Sequence, residues 1–345
     1  MRDTKILTQI PALLLPWYQA NARDLPWRNT REPYHIWLSE VMLQQTRVEA
    51  MRGYYARFLG ALPTIAALAA APQEQLMKLW EGLGYYNRAR NLQRAAVVIM
   101  TEHGGNFPQS YDEILHLPGI GPYTAGAIAS ICFGLPKPAV DGNVLRVYAR
   151  LLTLSDCVDD AKVKQQVQDD ITRLYANADP AALNQALMEL GALICLPNGT
   201  PRCAECPLRT ICRAAQSDTQ MAYPIKAAKR RRRIEQKTVF ILYCTDKLAV
   251  EKRPNTGLLA NLWALPNVPG HLDETAAIAQ VAAWGLAPYE LIKFTAKTHI
   301  FTHIEWHMTG YQITCNSPAP RFTWITPETR AEKIALPTAF RQFLD

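Results

Sequence analysis

The 345-residue chain lacks any apolar run long enough to cross a bilayer. Its most apolar early stretch, Ile10 to Tyr18, is short and broken by Pro11 and Pro16, and no export leader is read ahead of it. Cysteine is sparse as well. There are 8, none before Cys132, which excludes a dense disulfide scaffold and points to a reducing, cytosolic setting. Internal repeats are missing, and with 49% hydrophobic and 19% charged residues the composition excludes a disordered chain. A pervasive charge of one sign is also absent. Residues 1–225 carry 21 basic and 20 acidic side chains, and residues 237–345 carry 10 and 9. The formal charge of +7 therefore comes mainly from residues 226–236, with 6 basic side chains against 1 acidic. That distribution hints at a polyanionic partner without identifying it.

Length alone suggests two domains, at roughly 150 residues each. Up to about residue 215 the periodicity is helical, with helices expected over 36–43, 64–70, 73–81, 87–103, 111–116, 123–133, 143–153, 161–176 and 181–195. No strand pattern interrupts them, so residues 1–225 read as an all-α domain. The segment Lys226 to Gln236 (KAAKRRRRIEQ) has no periodic apolar face and reads as a basic linker. Beyond it, Val239–Cys244 and Leu248–Arg253 flank a turn-like Thr-Asp-Lys and read as a hairpin. A helix over 273–284 and strands near 289–300 and 304–315 complete an α+β domain spanning 237–345.

Four of the cysteines, Cys195, Cys203, Cys206 and Cys212, are separated by seven, two and five residues. Such close thiolates suit a soft metal centre, and the spacing alone serves a four-cysteine zinc site and an iron–sulfur cluster equally. Cys132, Cys157, Cys244 and Cys315 stand singly in apolar contexts and read as core residues. The string Leu117-Pro-Gly-Ile-Gly-Pro-Tyr-Thr-Ala sets a glycine-rich turn between two helices. Gly119 and Gly121 are expected to adopt positive φ there, and the following helix offers unpaired N–H groups to an anion; an ordinary helix–helix turn is the plainer reading. Asp141 precedes an apolar run, where capping is the common role. Glu40 sits among Trp37, Val41 and Met42; if buried, its carboxyl would be pushed toward the neutral form, and if at the helix edge it would be solvated.

LPGIGPYTA resembles a helix–hairpin–helix element that grips a DNA phosphate backbone. With SEVMLQQT, GLGYYNRARNL, VDGNV and the four cysteines, it resembles the endonuclease III superfamily of DNA glycosylases, and within it the MutY-type adenine DNA glycosylases. Residues 21–212 match in order and nearly without gaps. The resemblance implies that Cys195, Cys203, Cys206 and Cys212 hold a [4Fe–4S] cluster, although the first spacing is one residue longer than the family's usual one. It implies that Glu40 is the general acid that protonates adenine N7 and that Asp141, kept ionised, stabilises the oxocarbenium-like sugar, with Asn143 and Tyr123 orienting the pair and the water. Arg23, Trp27 and Arg28 would form the adenine pocket, Tyr85 the wedge in the base stack, and Gln45 the filler of the gap left by the extruded base. Arg47, Arg88, Arg90 and Arg94 would flank phosphates, with solvated surface charge as the plainer reading. Tyr123 stands where the thymine-glycol branch carries a lysine nucleophile, so no Schiff base forms and a monofunctional enzyme is expected.

The C-terminal domain resembles the MutT/Nudix-like fold with which this family recognises 8-oxoguanine, most strongly over Arg253–Pro266. Phe301-Thr302-His303 matches the family's Phe-Ser-His tip, with a methyl added to the hydroxyl. The helix near 276–284 lacks the REXXEE acids, which argues against metal-dependent hydrolysis of nucleoside triphosphates. The expected partner is double-stranded DNA with 8-oxoguanine:A or G:A mispairs, bound by a monomer in the nucleoid of a bacterial cytoplasm, away from membranes. Two other readings compete: a bifunctional glycosylase/lyase on oxidised pyrimidines, opposed by Tyr123 and the added domain, and a non-catalytic iron–sulfur DNA-binding or redox protein, opposed by Glu40 with Asp141.

Overall fold

The computed structural model describes residues 4–46, 48–228 and 231–344, apart from the side chains at 289 and 292–294. Arg47, Lys229 and Arg230 lie outside the described residues. Contacts divide the chain into two units, residues 1–69 with 91–228, and residues 70–90 with 229–345. None of the described helices is long and apolar enough to cross a membrane.

The first unit is helical. In chain order the helices are α1 (Thr4–Leu7), α2 (Ile10–Asn21), α3 (Pro33–Leu43), α4 (Val48–Ala61) and α5 (Ile65–Ala70). After α6 (Gln73–Leu79), which belongs to the second unit, come α7 (Asn87–Glu102), α8 (Tyr111–His116), α9 (Pro122–Phe133) and α10 (Gly142–Leu152). The last are α11 (Ala161–Leu174), α12 (Pro180–Leu193) and α13 (Arg213–Gln216). Their starts are written in the sequence. Ser110, Asp141, Asp160 and Asp179 each accept backbone N–H groups at the first turn of α8, α10, α11 and α12, satisfying donors that have no partner within the helix. Helix α12 packs against α2, α9 and α10, and Leu14, Val147, Leu187 and Leu190 form the shared core. Each such leucine contributes about 1.5–3 kcal/mol. Helices α1, α2, α4 and α13 were not expected from the sequence, and the two longest bury apolar residues. In α2, Pro11 falls in the first turn, where it removes no helical hydrogen bond, while Pro16 lies inside; Ile10 and Leu14 nonetheless bury fully. In α4, Met51, Tyr55 and Phe58 form the buried stripe.

The second unit is built on a seven-stranded sheet: β1 (Arg233–Cys244), β2 (Lys247–Lys252), β3 (Trp263–Ala264), β4 (Asn267–Pro269), β5 (Pro288–Ile300), β6 (Ile304–Cys315) and β7 (Thr323–Ile325). The order is β3-β2-β1-β6-β5, with β4 on β1 and β7 on β2. β1 and β6 run parallel, and the other pairs are antiparallel. β1 is apolar on both faces because both are covered. Phe240 and Leu242 meet Ala277 and Val281 of α14 (Glu274–Ala283), whereas Val239 and Ile241 meet Leu336 and Phe340. Two short helices, α15 (Pro327–Glu332) and α16 (Thr338–Arg341), close the chain.

The linker reading needs correction at its end. Residues 233–236 are strand, zipped to β6 from Arg233↔Ile304 onward, and the Arg233 N–H donates to the His303 carbonyl at 3.0 Å. A pairing partner 70 positions away overrides a composition that looks unstructured. No composition shift marks residues 70–90, which join the second unit through side-chain holds on its backbone. Lys78 Nζ donates to the carbonyls of Arg330 and Ile334, and Glu81 accepts the Leu336 N–H at 2.8 Å.

Candidate active site

Three helices of the first unit place the two carboxylates. Glu40 projects from α3 and is 6% exposed. The Tyr123 hydroxyl, on the first turn of α9, donates to Glu40 Oε2 at 2.6 Å and lies 3.3 Å from Met188 Sδ. Burial pushes the Glu40 carboxyl up to about 7, the neighbouring charge of Asp141 adds to the rise, and the Tyr123 hydrogen bond and Arg28 oppose it. The buried alternative of the sequence reading therefore holds for this residue.

Asp141 is the N-cap of α10. Its Oδ1 accepts the N–H groups of Asn143 and Val144 at 2.8 and 2.9 Å, and its Oδ2 accepts Asn143 Nδ2 at 2.6 Å. Burial nonetheless outweighs these bonds and the Arg146 charge, so its carboxyl lies above the usual range, contrary to a cap considered alone. Asp141 receives three hydrogen bonds against one for Glu40, and each favours the charged form.

Both carboxylates line a cavity of about 400 Å³, within the size range of small-molecule sites. Arg23, Trp27, Arg28, Gln45, Tyr123 and Asn143 line it too. Trp27 packs edge-on against Tyr55 with centroids 5.3 Å apart. Arg23 and Arg28 are held by a residue the sequence reading passed over. Glu189 of α12 accepts from Arg23 Nε at 2.8 Å and Nη2 at 2.7 Å, and from Arg28 Nη1 at 3.0 Å and Nη2 at 2.6 Å. Glu189 is 1% exposed, and these donors hold its carboxyl down at about 2. A lone glutamate in the apolar run Ala186-Leu-Met-Glu-Leu190 was its signal, the same one that singled out Glu40. Gln185, also on the cavity wall, accepts from Tyr18 at 3.1 Å.

Arg146 and Arg150, one turn apart on α10, were also missed. Arg146 donates to Asn143 Oδ1 at 2.8 Å, to the Gly191 carbonyl at 2.8 Å and to the Cys195 carbonyl at 2.7 Å. The Asp141 end of the cavity is thus hydrogen-bonded through to the cysteine loop. Arg150 Nη1 donates to Cys195 Sγ at 3.2 Å. The Leu208 amide points at the Cys206 sulfur, and the amides of Ala214 and Ala215 point at that of Cys212. The longer first spacing is absorbed by a loop with Gly199 at φ +74°, closed by the Arg202 N–H on the Ile194 carbonyl at 2.9 Å. Among the described residues no group of three or more His, Cys, Asp or Glu side chains is placed to hold a metal ion. The thiols of Cys195, Cys203, Cys206 and Cys212 offer a soft, all-sulfur donor set, the chemistry that suits an iron–sulfur centre.

The hairpin between α8 and α9 departs from expectation at one of its glycines. Gly119 has φ +78°, and a Cβ there would stand 2.4 Å from Asn91 Cβ. Gly121 instead caps α9 with φ −100°, and a Cβ on it would meet nothing. The demand for glycine at 121 does not come from this chain's own packing.

In the second unit, Phe301-Thr302-His303 forms the tip between β5 and β6, as the two expected strands imply. Phe301 turns inward, 4.9 Å from the Trp306 ring, and leaves Thr302 and His303 exposed. Arg232 Nε donates to the Phe301 carbonyl at 3.2 Å. Tyr85, 54% exposed with φ +46°, has its hydroxyl 3.2 Å from Thr302 Oγ1. Arg90 donates to the Ala260 carbonyl, and Arg94 to Asn91 Oδ1.

A helix–hairpin–helix fold around one buried and one half-buried carboxylate defines a class, and comparison agrees. Residues 38–173 match the HhH-GPD superfamily of base excision DNA repair proteins, and residues 238–345 match the NUDIX domain. Among solved structures, a thermostable thymine-DNA glycosylase superposes with a TM-score of 0.57 at 27% identity, over 62% of this chain and 98% of the other. Endonuclease III in a non-covalent complex with DNA shares the fold, with a TM-score of 0.55 at 24% identity over 64% of this chain and 100% of the other. The human adenine DNA glycosylase is 33% identical over 99% of this chain and 75% of its own length. That of Buchnera aphidicola (strain Bp) is 37% identical over 73% of this chain and 72% of its own. The chain belongs to the adenine DNA glycosylase family, enzymes of base excision repair that hydrolyse N-glycosyl bonds.

Proposed function

We propose that the enzyme releases adenine mispaired with 8-oxoguanine or guanine in double-stranded DNA, by hydrolysis alone. One observation carries the chemistry: Glu40 is buried against Tyr123 with its carboxyl near neutrality, on the same cavity as the more heavily hydrogen-bonded Asp141. Adenine leaves poorly as an anion. Glu40 gives its proton to adenine N7, the C1′–N9 bond breaks with its electron pair passing to the base, and the Asp141 carboxylate faces the cationic sugar. Water then adds its hydroxyl to C1′ and its proton restores the Glu40 carboxyl, so one water is consumed per adenine released. Asn143 and Tyr123 orient the two carboxylates through the bonds described. Tyr123 offers no amine for a Schiff base, which supports a monofunctional reaction.

Arg23, Trp27 and Arg28, braced by Glu189, form the wall that receives the base. Gly121 leaves room at the start of α9 for a DNA phosphate. Gln45 and Tyr85 both hold left-handed backbone conformations, φ +63° and +46°, uncommon for such residues and concentrated at functional sites. That supports their roles as gap filler and wedge. The exposed Thr302 and His303 at the β5–β6 tip, with Phe301 behind them, are the elements proposed to read 8-oxoguanine. Cys195, Cys203, Cys206 and Cys212 would hold a [4Fe–4S] cluster. Bound there, it supplies metal–sulfur bonds that cross-link the 195–212 loop, and no step of base release passes through it. We infer a monomer working on the chromosomal DNA of a bacterial cytoplasm.

The test is single-turnover adenine release from 8-oxoguanine:A, G:A and T:A duplexes, with and without alkali. Release from the first two, with strand breaks only after alkali, is expected. Breaks without alkali would contradict a monofunctional enzyme, and release from T:A at the same rate would contradict mispair selectivity. In Phe301→Ala/Thr302→Ala the preference for 8-oxoguanine:A over G:A should narrow, and an unchanged preference removes the tip from lesion reading.

A further inference from the structure

Among the arginines expected to flank phosphates, Arg88 turns inward. Its Nη2 donates to the Leu83 carbonyl at 2.8 Å and to the Gly84 carbonyl at 3.2 Å. The guanidinium carbon lies 5.3 Å from the centroid of the Trp80 ring and 5.7 Å from that of Tyr85. Trp80 Nε1 donates to the same Gly84 carbonyl at 3.0 Å, and the Arg88 N–H donates to the Tyr85 carbonyl at 2.8 Å. The Arg88 side chain therefore holds the main chain just before Tyr85 and contacts its ring, while its backbone N–H closes the turn on the other side.

That hold acts on a backbone that would not choose its shape unaided. Gly84 and Tyr85 stand in succession at φ +68° and +46°, and the second is a bulky aromatic in a region L-residues avoid. The Tyr85 ring is 54% exposed, so burial in a core does not impose the conformation. We propose that Arg88 is the positioning residue that pre-sets Tyr85 for entry into the base stack, a role that rests on the wedge reading of Tyr85. Nη2 makes both carbonyl bonds while the flat guanidinium lies beside the Trp80 and Tyr85 rings, a stacking that a compact ammonium group does not reproduce. Burial lowers its pKa to about 10, which leaves it charged at neutral pH. An ordered turn delivers the ring without first having to be organised on the DNA, so the effect falls on base extrusion and leaves chemistry on an extruded base untouched.

The experiment compares Arg88→Met, Arg88→Lys, Tyr85→Ala and Tyr85→Ala/Arg88→Met, as cluster-loaded full chains, in single-turnover adenine release. Two substrates are used: a fully paired 8-oxoguanine:A duplex, and the same mispair inside a short mismatched bubble where the adenine is already unstacked. On the paired duplex both Arg88 variants are expected to lose about tenfold in rate, equivalent to a modest rise in one barrier. On the bubble they should act at close to the wild-type rate. The double variant should be no slower than Tyr85→Ala. Because each protein is judged by its ratio between two substrates, a general loss of stability cancels. Rescue by Arg88→Lys, an equal loss on both substrates, or losses that multiply with Tyr85→Ala would overturn the assignment. If Tyr85→Ala released adenine from the paired duplex at the wild-type rate, the wedge reading itself would fall, and with it the role given to Arg88.

Discussion

The Tyr123 hydroxyl donates to Glu40 Oε2 across 2.6 Å, joining α9 to α3 at the wall of the cavity. The bond favours the charged carboxylate, while burial favours the neutral acid and prevails, leaving Glu40 near 7. A carboxyl poised near neutrality, as a general acid requires, is the outcome of these two opposing effects.

Removing the hydroxyl should therefore extend activity upward in pH. In Tyr123→Phe the rate of adenine release is limited by the fraction of protonated Glu40, and that carboxyl loses the interaction that lowers it. The alkaline limb of the single-turnover rate profile should move to higher pH, even if the plateau falls. A limb that stays in place or moves down would show that Glu40 does not set it.

Glu40 also carries a stability cost with a defined pH window. Its folded value, about 7, is above the ordinary 4.5, so its favourable contribution is complete below about 4.5 and is lost as pH rises through about 7. Above that, the buried charge costs on the order of 3 kcal/mol. Glu40→Gln should be more stable than the wild type at pH 8 and lose that advantage at pH 4.5, as read by urea denaturation at both pH values. Equal differences at the two would mean that the carboxyl is not desolvated in solution.

Glu189 works in the opposite sense. Its carboxyl is held at about 2, so its contribution is present above about 4.5 and declines as pH falls toward 2. Glu189→Ala leaves Arg23 and Arg28 beside a buried gap. Removing one partner of such a group costs on the order of 3–5 kcal/mol at pH 7. Urea midpoints should show that loss at pH 7 and a smaller one at pH 3, and a neutral effect at pH 7 would mean the ion triad is not formed.

The two hairpin glycines should separate folding from DNA binding. Gly119→Ala meets Asn91 and an unfavourable φ, and should cost about 1–3 kcal/mol. Gly121→Ala meets nothing in the free protein and should leave stability within about 0.5 kcal/mol. Its methyl would instead stand in the way of a phosphate. Weaker binding to 8-oxoguanine:A duplex with an unchanged melting temperature is expected for Gly121→Ala, and unaltered affinity would remove this hairpin from the DNA interface.

Helix starts were legible because capping is local. Asp141, Asp160 and Asp179 announce α10, α11 and α12 within a few residues. The strands from 289 and 304 were legible from their alternation, and β5 and β6 begin within one residue of those positions. Other features depended on distant partners. Arg233 became strand because Ile304 pairs with it, and no local signal in a run of arginines reports that. The stripe of Met51, Tyr55 and Phe58 in α4 was present in the sequence and was passed over. At the site, the residue types that do chemistry stood out, while the arginines and the glutamate that brace them did not. Arg88 and Arg146 look like surface charges until their carbonyl partners are known. The sequence separation of those partners ranges from 4 to 49 residues.

The central claim is that Glu40 is the proton donor for adenine release. Its most direct test is single-turnover release from an 8-oxoguanine:A duplex by Glu40→Gln, beside the affinity of the same protein for that duplex. The account predicts release abolished with binding largely intact, since glutamine keeps the shape and the Tyr123 contact but has no acidic proton. Near-normal release by Glu40→Gln would contradict it.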